Sequence, residues 1–525
     1  TNSGLNMQIT RIVFAAIVVM LMPIALSAQP ASFVRANGKN FELCGQPFRF
    51  IGFNVRGICH YGKGDVLPFS NASDIGTNLD YCVAVKATVI RVFCAYKNIN
   101  RIETGNRLQA VLDACRARGI FVLVALTDVH SSTSMHPQGD TAYFTQGACC
   151  GFNLLNHQWY ETGYTVNYLP QALYLADRFK DHPAVFAWQL GNEIRDVTNG
   201  ATFTAFAKNV AAQIKAVDPN HMVSVGMISV RQSNISAPQA ISIYNDMDFV
   251  GSHVYLNTDA DDDTSFANSI NKPSIIDEAG FNTGNRPALT NTDITKRFNN
   301  GADGYLYWGL MATPYDNGDG DRDFGIDQVF NDDDWVAYGQ MFHTWGTLLA
   351  PTTQLRGAPT TIERIVDRGE AAPDALIDVA LTGGGSRAFS TQESSTWFSV
   401  ANPNGVASCE PVEVRMQFQT ATLRPGVYES QLSTLPAGAA YSPVAVPVKV
   451  TVHGFPGDLD GDDDVDQSDF GLFQACLNKP GEVQDDPKCL AARLDDDVDV
   501  DLDDFGLLQA CFSGPNIPAD PNCLD

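Results

Sequence analysis

The run AVFAWQLGNEIRD, residues 184–196, opens as an apolar strand and exits into the polar pair Asn192-Glu193. Apolar residues without regular polar alternation mark a strand covered on both faces, as in a parallel sheet flanked by helices. Seven further runs of this kind lie around it, at 50–55, 88–93, 120–126, 222–227, 249–254, 273–278 and 304–308. Amphipathic segments such as 107–118, 169–179 and 202–216 fall between them and predict helices. Eight strands alternating with helices over residues 33–350 predict an α/β fold, a (β/α)8 barrel. A doubly wound open sheet is the alternative, but no glycine-rich nucleotide loop follows the first strand.

Two segments qualify this plan. FVRANGKNFELCGQPF, residues 33–48, predicts a hairpin turning at Asn37-Gly38 ahead of the barrel. Residues 128–165 are long for one connection and hold Tyr143, Phe144, Phe152, Trp159, Tyr160, Tyr164 and the pair Cys149-Cys150. They read equally as a cleft-shaping loop or as a locally packed, disulfide-pinned one.

The chain has 525 residues, with 60 acidic against 34 basic side chains and a formal charge of −26. Its 44% hydrophobic content excludes wholesale disorder. Residues 457–525 hold 19 acidic and 3 basic residues, so −16 of the charge sits in the tail. With no basic face, nucleic acid is excluded as a partner, and the tail points to a solvated face or to hard cations. Arg11, an apolar run from Ile12 to Met22, then Pro23 and small residues to Ala28 predict a secretory signal over 1–28. The expectation is a secreted chain with no membrane association after signal removal, whose twelve cysteines can form disulfides.

The chemistry lies at strand exits. Glu193 ends the fourth strand and Glu278 ends the seventh, PSIIDEAGF, residues 273–281. In a (β/α)8 barrel strand C-termini converge on one face, so these carboxylates meet despite their separation in sequence. Such a pair suits double-displacement cleavage of a glycosidic bond. Taken alone, Asn-Glu also reads as a helix N-cap followed by a first-turn acid. The wider set resembles family 5 glycoside hydrolases, clan A barrels, over residues 33–347. Arg91 ends TVIRVF, His130 ends VALTDVH, His253 and Tyr255 lie in VGSHVYL, and Trp308 lies in GYLYWGL. The resemblance implies acid/base for Glu193 and nucleophile for Glu278, with Arg91, His130, Asn192, His253, Tyr255 and Trp308 around the sugar. No cofactor is implied for catalysis. The substrate expected is a β-linked polysaccharide, β-1,4-glucan first and β-mannan as the alternative. A non-catalytic, scaffold-docked glycan-binding protein is the competing class, and the presence of both carboxylates argues against it. The acidic stretch 316–327 has Asp319, Asp321 and Asp323 at calcium-ligand spacing. Phe324 and Phe330 stand where that loop needs glycine and an acid, so it reads as a cleft-rim loop.

Beyond the barrel, residues 351–455 alternate as strands, with turns at 402–405 and 425–426, and predict a small antiparallel sandwich. WFSV, GVYESQL and SPVAVPVKVTV within it resemble BACON-type immunoglobulin-like modules, here read as a spacer. In the tail, GDLDGDDDVDQSDFGLFQAC (457–476) repeats as ARLDDDVDVDLDDFGLLQAC (492–511). Asp458, Asp460, Asp462, Asp466 and Asp469 fall at positions 1, 3, 5, 9 and 12 of a calcium loop, with the Asp464 carbonyl at 7. The second copy offers Asp495, Asp497, Asp501 and Asp504, with Asp499 at 7, but Arg493 stands at position 1, predicting weaker binding. Asp463 and Val498 replace the usual glycine at position 6. A short helix follows, with Phe470, Phe473 and Cys476 on one stripe. Residues 457–525 resemble a type I dockerin, which implies Ca2+ and docking to a cohesin-like partner. Cys476 with Cys489 and Cys511 with Cys523 could each close a short loop within its own repeat, the pairing itself not being fixed by sequence.

Overall fold

The computed structural model describes residues 33–524 apart from 56–57, 60–71, 98, 132–135, 150–151, 256–258, 283, 312–325, 328–333, 352, 438–441 and 496. The signal segment, most of 316–327 and the Cys149-Cys150 side chains lie outside the described residues.

Eight parallel strands form the central sheet: β1 (Phe50–Asn54), β2 (Val89–Phe93), β3 (Phe121–Ala125), β4 (Val185–Gln189), β5 (Met222–Ser224), β6 (Val250–Val254), β7 (Ser274–Ala279) and β8 (Gly304–Trp308). Their hydrogen-bonded order runs β5-β4-β3-β2-β1-β8-β7-β6. The sheet is nearly closed. No ladder joins β5 to β6, but Asp248 N donates to Val223 O and His253 N to Ile228 O, both at 2.9 Å. The helices that follow the strands are α1 (Ala72–Ala84), α2 (Arg101–Arg116), α3 (Tyr168–Phe179), α4 (Gly200–Val217), α5 (Ala237–Tyr244), α6 (Asp259–Ser269), α7 (Arg286–Asn299) and α8 (Trp335–Leu349). All eight predicted runs form strands, with ends shifted by a residue or a few.

Side-chain alternation builds the interior in layers. Phe50, Val89, Leu123, Phe186, Phe249, Ile275 and Leu306 fill its lower half, while their neighbours along each strand pack outward under the helices. A three-stranded antiparallel sheet, Arg35–Asn37, Asn40–Leu43 and Gln46–Phe48, closes the bottom with Phe41 and Phe48. Asn37 pairs with Asn40, so the turn is Gly38-Lys39 and not Asn37-Gly38; Gly38 takes the left-handed φ of +60° that the tight turn requires.

The long connection resolves towards packing. Phe144–Cys149 pairs with Phe152–Leu155 as a hairpin, and Trp159, Tyr160, Tyr164 and Tyr168 are buried against Phe206 of α4. These rings belong to the hydrophobic core and do not line a cleft. Ring burial of this size dominates local stability, and the Trp159 Nε1–H satisfies itself on Asp140 Oδ2 at 2.9 Å.

Residues 355–453 form a four-stranded and a five-stranded sheet around one apolar core. The expected all-antiparallel order needs correction. Ile362–Asp367 pairs in parallel with Val444–His453, because its chain enters the second sheet from across the sandwich. Cys44, beneath the barrel, is bonded to Cys409 of the sandwich. The tail forms two loop-helix units, with helices Gln467–Cys476 and Leu502–Cys511, pinned by Cys476–Cys489 and Cys511–Cys523. Phe473 and Cys476 are buried there and Phe470 half-buried. No helix among the described residues is long and apolar enough to cross a membrane.

Candidate active site

The upper layer of the barrel interior turns polar. Arg91 leaves β2 on the inward side, fully buried, and donates to four oxygens: Glu278 Oε1 at 2.6 Å, Gln189 Oε1 at 2.7 Å, Asn192 Oδ1 at 2.8 Å and Asn54 Oδ1 at 3.0 Å. A charged group at this depth is tolerated only when it is ion-paired and hydrogen-bonded. Tyr255 Oη donates to Glu278 Oε2 at 2.8 Å. His253 stands between the carboxylates, its Nδ1 at 2.9 Å from Glu193 Oε1 and 3.3 Å from Glu278 Oε2. Oxygens of Glu193 and Glu278 lie within 4.8 Å of each other. Two carboxyl groups this close can both act on one bond of a bound substrate.

Glu193 adopts φ +50°, a left-handed conformation costly for a side chain with a Cβ, which the turn after β4 imposes as it aims the carboxyl into the cleft. His130 lies 3.5 Å from Glu193 Oε2 through Nε2, while its Nδ1 meets Asp128 Oδ1 at 3.0 Å. Burial works against the His130 charge, but Asp128 and then Glu193 raise it to about 9. Asn192 gives its carbonyl to Arg91 and directs its amide towards Asp128 Oδ1 at 3.3 Å. Trp308, half-buried at the exit of β8, meets Phe93 edge-on at 5.9 Å and forms an apolar wall. All eight predicted site residues of the barrel thus converge on one face.

Burial disfavours charge on both glutamates. His253 and His130 pull the Glu193 carboxyl back down, whereas at Glu278 His253, Arg91 and Tyr255 do so against the added repulsion of Glu193. We place the lasting charge on Glu278, because a guanidinium keeps its charge at every accessible pH, while the partners of Glu193 are imidazoles that titrate.

A family model described as Cellulase (glycosyl hydrolase family 5) matches residues 42–313, just over half of the chain. The chain belongs to glycosyl hydrolase family 5. Curated relatives of this family 5 chain include mannan endo-1,4-beta-mannosidase 5 of Solanum lycopersicum, 24% identical over 255 residues, covering 44% of this chain and 60% of the relative. Another is mannan endo-1,4-beta-mannosidase F of Aspergillus fumigatus, 27% identical over 225 residues, covering 37% and 47%. The chain spans about half the length of the curated relatives it matches. Among solved structures, an endo-1,4-beta-mannanase from Rhizomucor miehei aligns at 17% identity and TM-score 0.48, covering 60% of this chain and 99% of that one.

Residues missed from the sequence are Asn54, Asp128 and Gln189, which hold Arg91, His130 and Asn192 by hydrogen bonds. Each is a polar side chain on or just past an apolar strand, and that interruption was the available signal.

In the tail, oxygens of Asp458, Asp460 and Asp469, and of Asp464, Asp466 and Asp469, cluster within 4.8 Å. The second copy repeats this with Asp495, Asp497 and Asp504, and with Asp499, Asp501 and Asp504. Asp462 and Asp497 accept from the backbone N–H two residues on, at Asp464 and Asp499. The side chains at position 7 join these clusters, and Asp464 Oδ1 and Asp499 Oδ1 are buried without a hydrogen-bond partner. An all-oxygen set with orphaned carboxylate atoms fits a hard cation. Asp469 and Asp504 double as capping-box residues of the helices they begin. Arg493 turns its guanidinium to the Gln484 carbonyl, and Asp463, at φ +80°, is ion-paired with Arg368 of the sandwich.

Proposed function

We propose that this chain is a retaining β-1,4-glycan hydrolase that cuts within β-mannan. One observation carries the reading: two carboxylates within 4.8 Å, one of them bound by a buried guanidinium. Glu278 attacks the anomeric carbon while Glu193 protonates the departing glycosidic oxygen. Glu193, now a base, then takes a proton from the water that releases the sugar from Glu278. Asn192 and His130 contact ring hydroxyls, and Trp308 offers a flat face for a pyranose. The mannosidase names of the relatives favour β-mannan over the glucan first expected from sequence. The Cellulase description of the family keeps β-1,4-glucan as the second reading.

The test is a panel of purified β-mannans and β-glucans with products separated by size, run with Glu193→Ala and Glu278→Ala. Internal cleavage of mannan, lost in both variants, and an early product of retained configuration by NMR are expected. No sugar released from any β-glycan refutes the reading, and an inverted first product refutes double displacement.

For the tail we propose a dockerin-like module, stabilised by Ca2+, that docks a secreted enzyme on a cohesin-like partner, with the BACON-like sandwich as spacer. Support comes from the duplicated carboxylate loops, their orphaned oxygens and the disulfides suited to an oxidising compartment.

A further inference from the structure

Asp277 precedes Glu278 on β7, and consecutive strand residues ordinarily face opposite sides. Here the register slips on both flanks of β7, between Ser252 and His253 on β6 and between Ile276 and Ala279 against β8. Such an irregularity re-aims side chains near active sites. Both carboxylates therefore enter the barrel interior. Asp277 is fully buried, and its Oδ2 accepts from Gln189 Nε2 at 2.6 Å. Its Oδ1 faces His253 Nε2 at 3.6 Å, and neither of these buried atoms has a hydrogen-bond partner. Space for the carboxylate exists because residue 251 is glycine: a Cβ there would lie 2.3 Å from Asp277 Oδ2. A ring of contacts thus runs Arg91, Gln189, Asp277, His253, Glu278 and back to Arg91.

We infer that Asp277 is a positioning residue for the glycosidase reaction, holding His253 as an imidazolium whose Nδ1–H is presented to Glu193 and Glu278. A buried imidazole with one nitrogen in an apolar wall would stay neutral and choose either tautomer. A carboxylate at Nε2 selects the form that carries a proton there, which leaves Nδ1–H available when the imidazole is charged. The groups facing His253 are Asp277 and Glu278 from β7 and Glu193 from the β4 exit, with Arg91 and Tyr255 one contact further out. Burial opposes its charge, and Glu278, Asp277 and Glu193 together outweigh burial and raise it. The gap of 3.6 Å closes with a small ring rotation, as catalytic hydrogen bonds often tighten only once substrate is bound. The inference rests on the glycosidase reading for its purpose but not for its test.

The experiment compares the full chain with Asp277→Asn, which keeps the shape and an acceptor for Gln189. Nitrogen-15 NMR of labelled histidine follows His253 with pH. We expect its titration midpoint to fall by about one pH unit or more in the variant, with the thermal midpoint little changed. On the best glycan of the panel, kcat falls about 10- to 100-fold while KM stays within about threefold. A purely structural role would lower the thermal midpoint and leave the His253 titration in place. An unchanged titration in folded Asp277→Asn overturns the inference, as does a neutral His253 in wild type at pH 6. Should Asp277→Asn fail to fold, Asp277→Ser, smaller and uncharged, carries the same comparison. The NMR arm needs no turnover, so it separates failure here from failure of the glycosidase reading.

Discussion

Replacing Arg91 by methionine keeps the stem and removes the guanidinium at the centre of the site. Four acceptors lose donors at once: Glu278 Oε1, Gln189 Oε1, Asn192 Oδ1 and Asn54 Oδ1. The pair is sealed, with side-chain exposures of 0% for Arg91 and 4% for Glu278, so water cannot stand in for the lost cation. Truncating one partner of a buried pair costs about 3–5 kcal/mol. For a domain of this size each kcal/mol moves the thermal midpoint by roughly 2–4 °C, giving a fall of roughly 6–20 °C at pH 7. The loss has a characteristic pH dependence. Without the guanidinium, burial and Glu193 raise the Glu278 carboxyl further, so the folded variant binds a proton more tightly than its unfolded chain. Such a group adds stability below its unfolded value, and the addition is lost as pH rises through the folded value. The deficit should therefore shrink by up to about 1.4 kcal/mol per unit as pH falls from 7 towards 5. Activity should drop at least about 1,000-fold at pH 7, because the nucleophile is then protonated. Calorimetry at pH 5, 6 and 7, with initial rates on the preferred glycan, provides the assay. A midpoint within 2 °C of wild type, or a deficit independent of pH, would refute the assignment of Arg91 as the partner that keeps Glu278 charged.

His130 supplies a second pH signature. Its folded value of about 9 lies above the ordinary 6.5, so its contribution is complete below 6.5 and lost as pH rises through 9. The thermal midpoint of His130→Gln should thus approach that of wild type between pH 6 and pH 9.5, and a constant gap would contradict this. Calcium at about 100 times its Kd should stabilise the C-terminal unit by about 2.7 kcal/mol on heating the full chain. Asp469→Asn should remove the tighter binding event in calorimetric titration, and no heat of binding up to millimolar calcium would sink the proposal. Cys44→Ser with Cys409→Ser removes the covalent link between barrel and sandwich, at an expected cost of about 2–4 kcal/mol, with a larger radius of gyration by X-ray scattering. An unchanged radius would mean that packing alone fixes the two units.

The eight strands were legible along the chain because burial on both faces writes a local, unmixed apolar signal, and the exits of those strands carried the polar residues of the site. Barrel topology then brings residues 91, 193 and 278 together by symmetry, without any need to know distances. The duplicated tail was legible for a similar reason, since a repeat reports itself. Other features depended on three-dimensional contact. The rings of residues 143–164 looked alike as cleft or core until α4 supplied Phe206 to cover Trp159, Tyr160 and Tyr164. Cys44 and Cys409 are 365 residues apart, and no spacing rule links them. The role of Asp277 was hidden most completely. Alternation places it opposite Glu278, and only the register slips flanking β7 turn both carboxylates inward. Sequence by itself determined which residues are apolar in period and which carry charge at strand ends, because those properties are local. Tertiary structure decided which buried charges share a partner, because a hydrogen bond at 3 Å depends on backbone irregularities that leave no periodic trace.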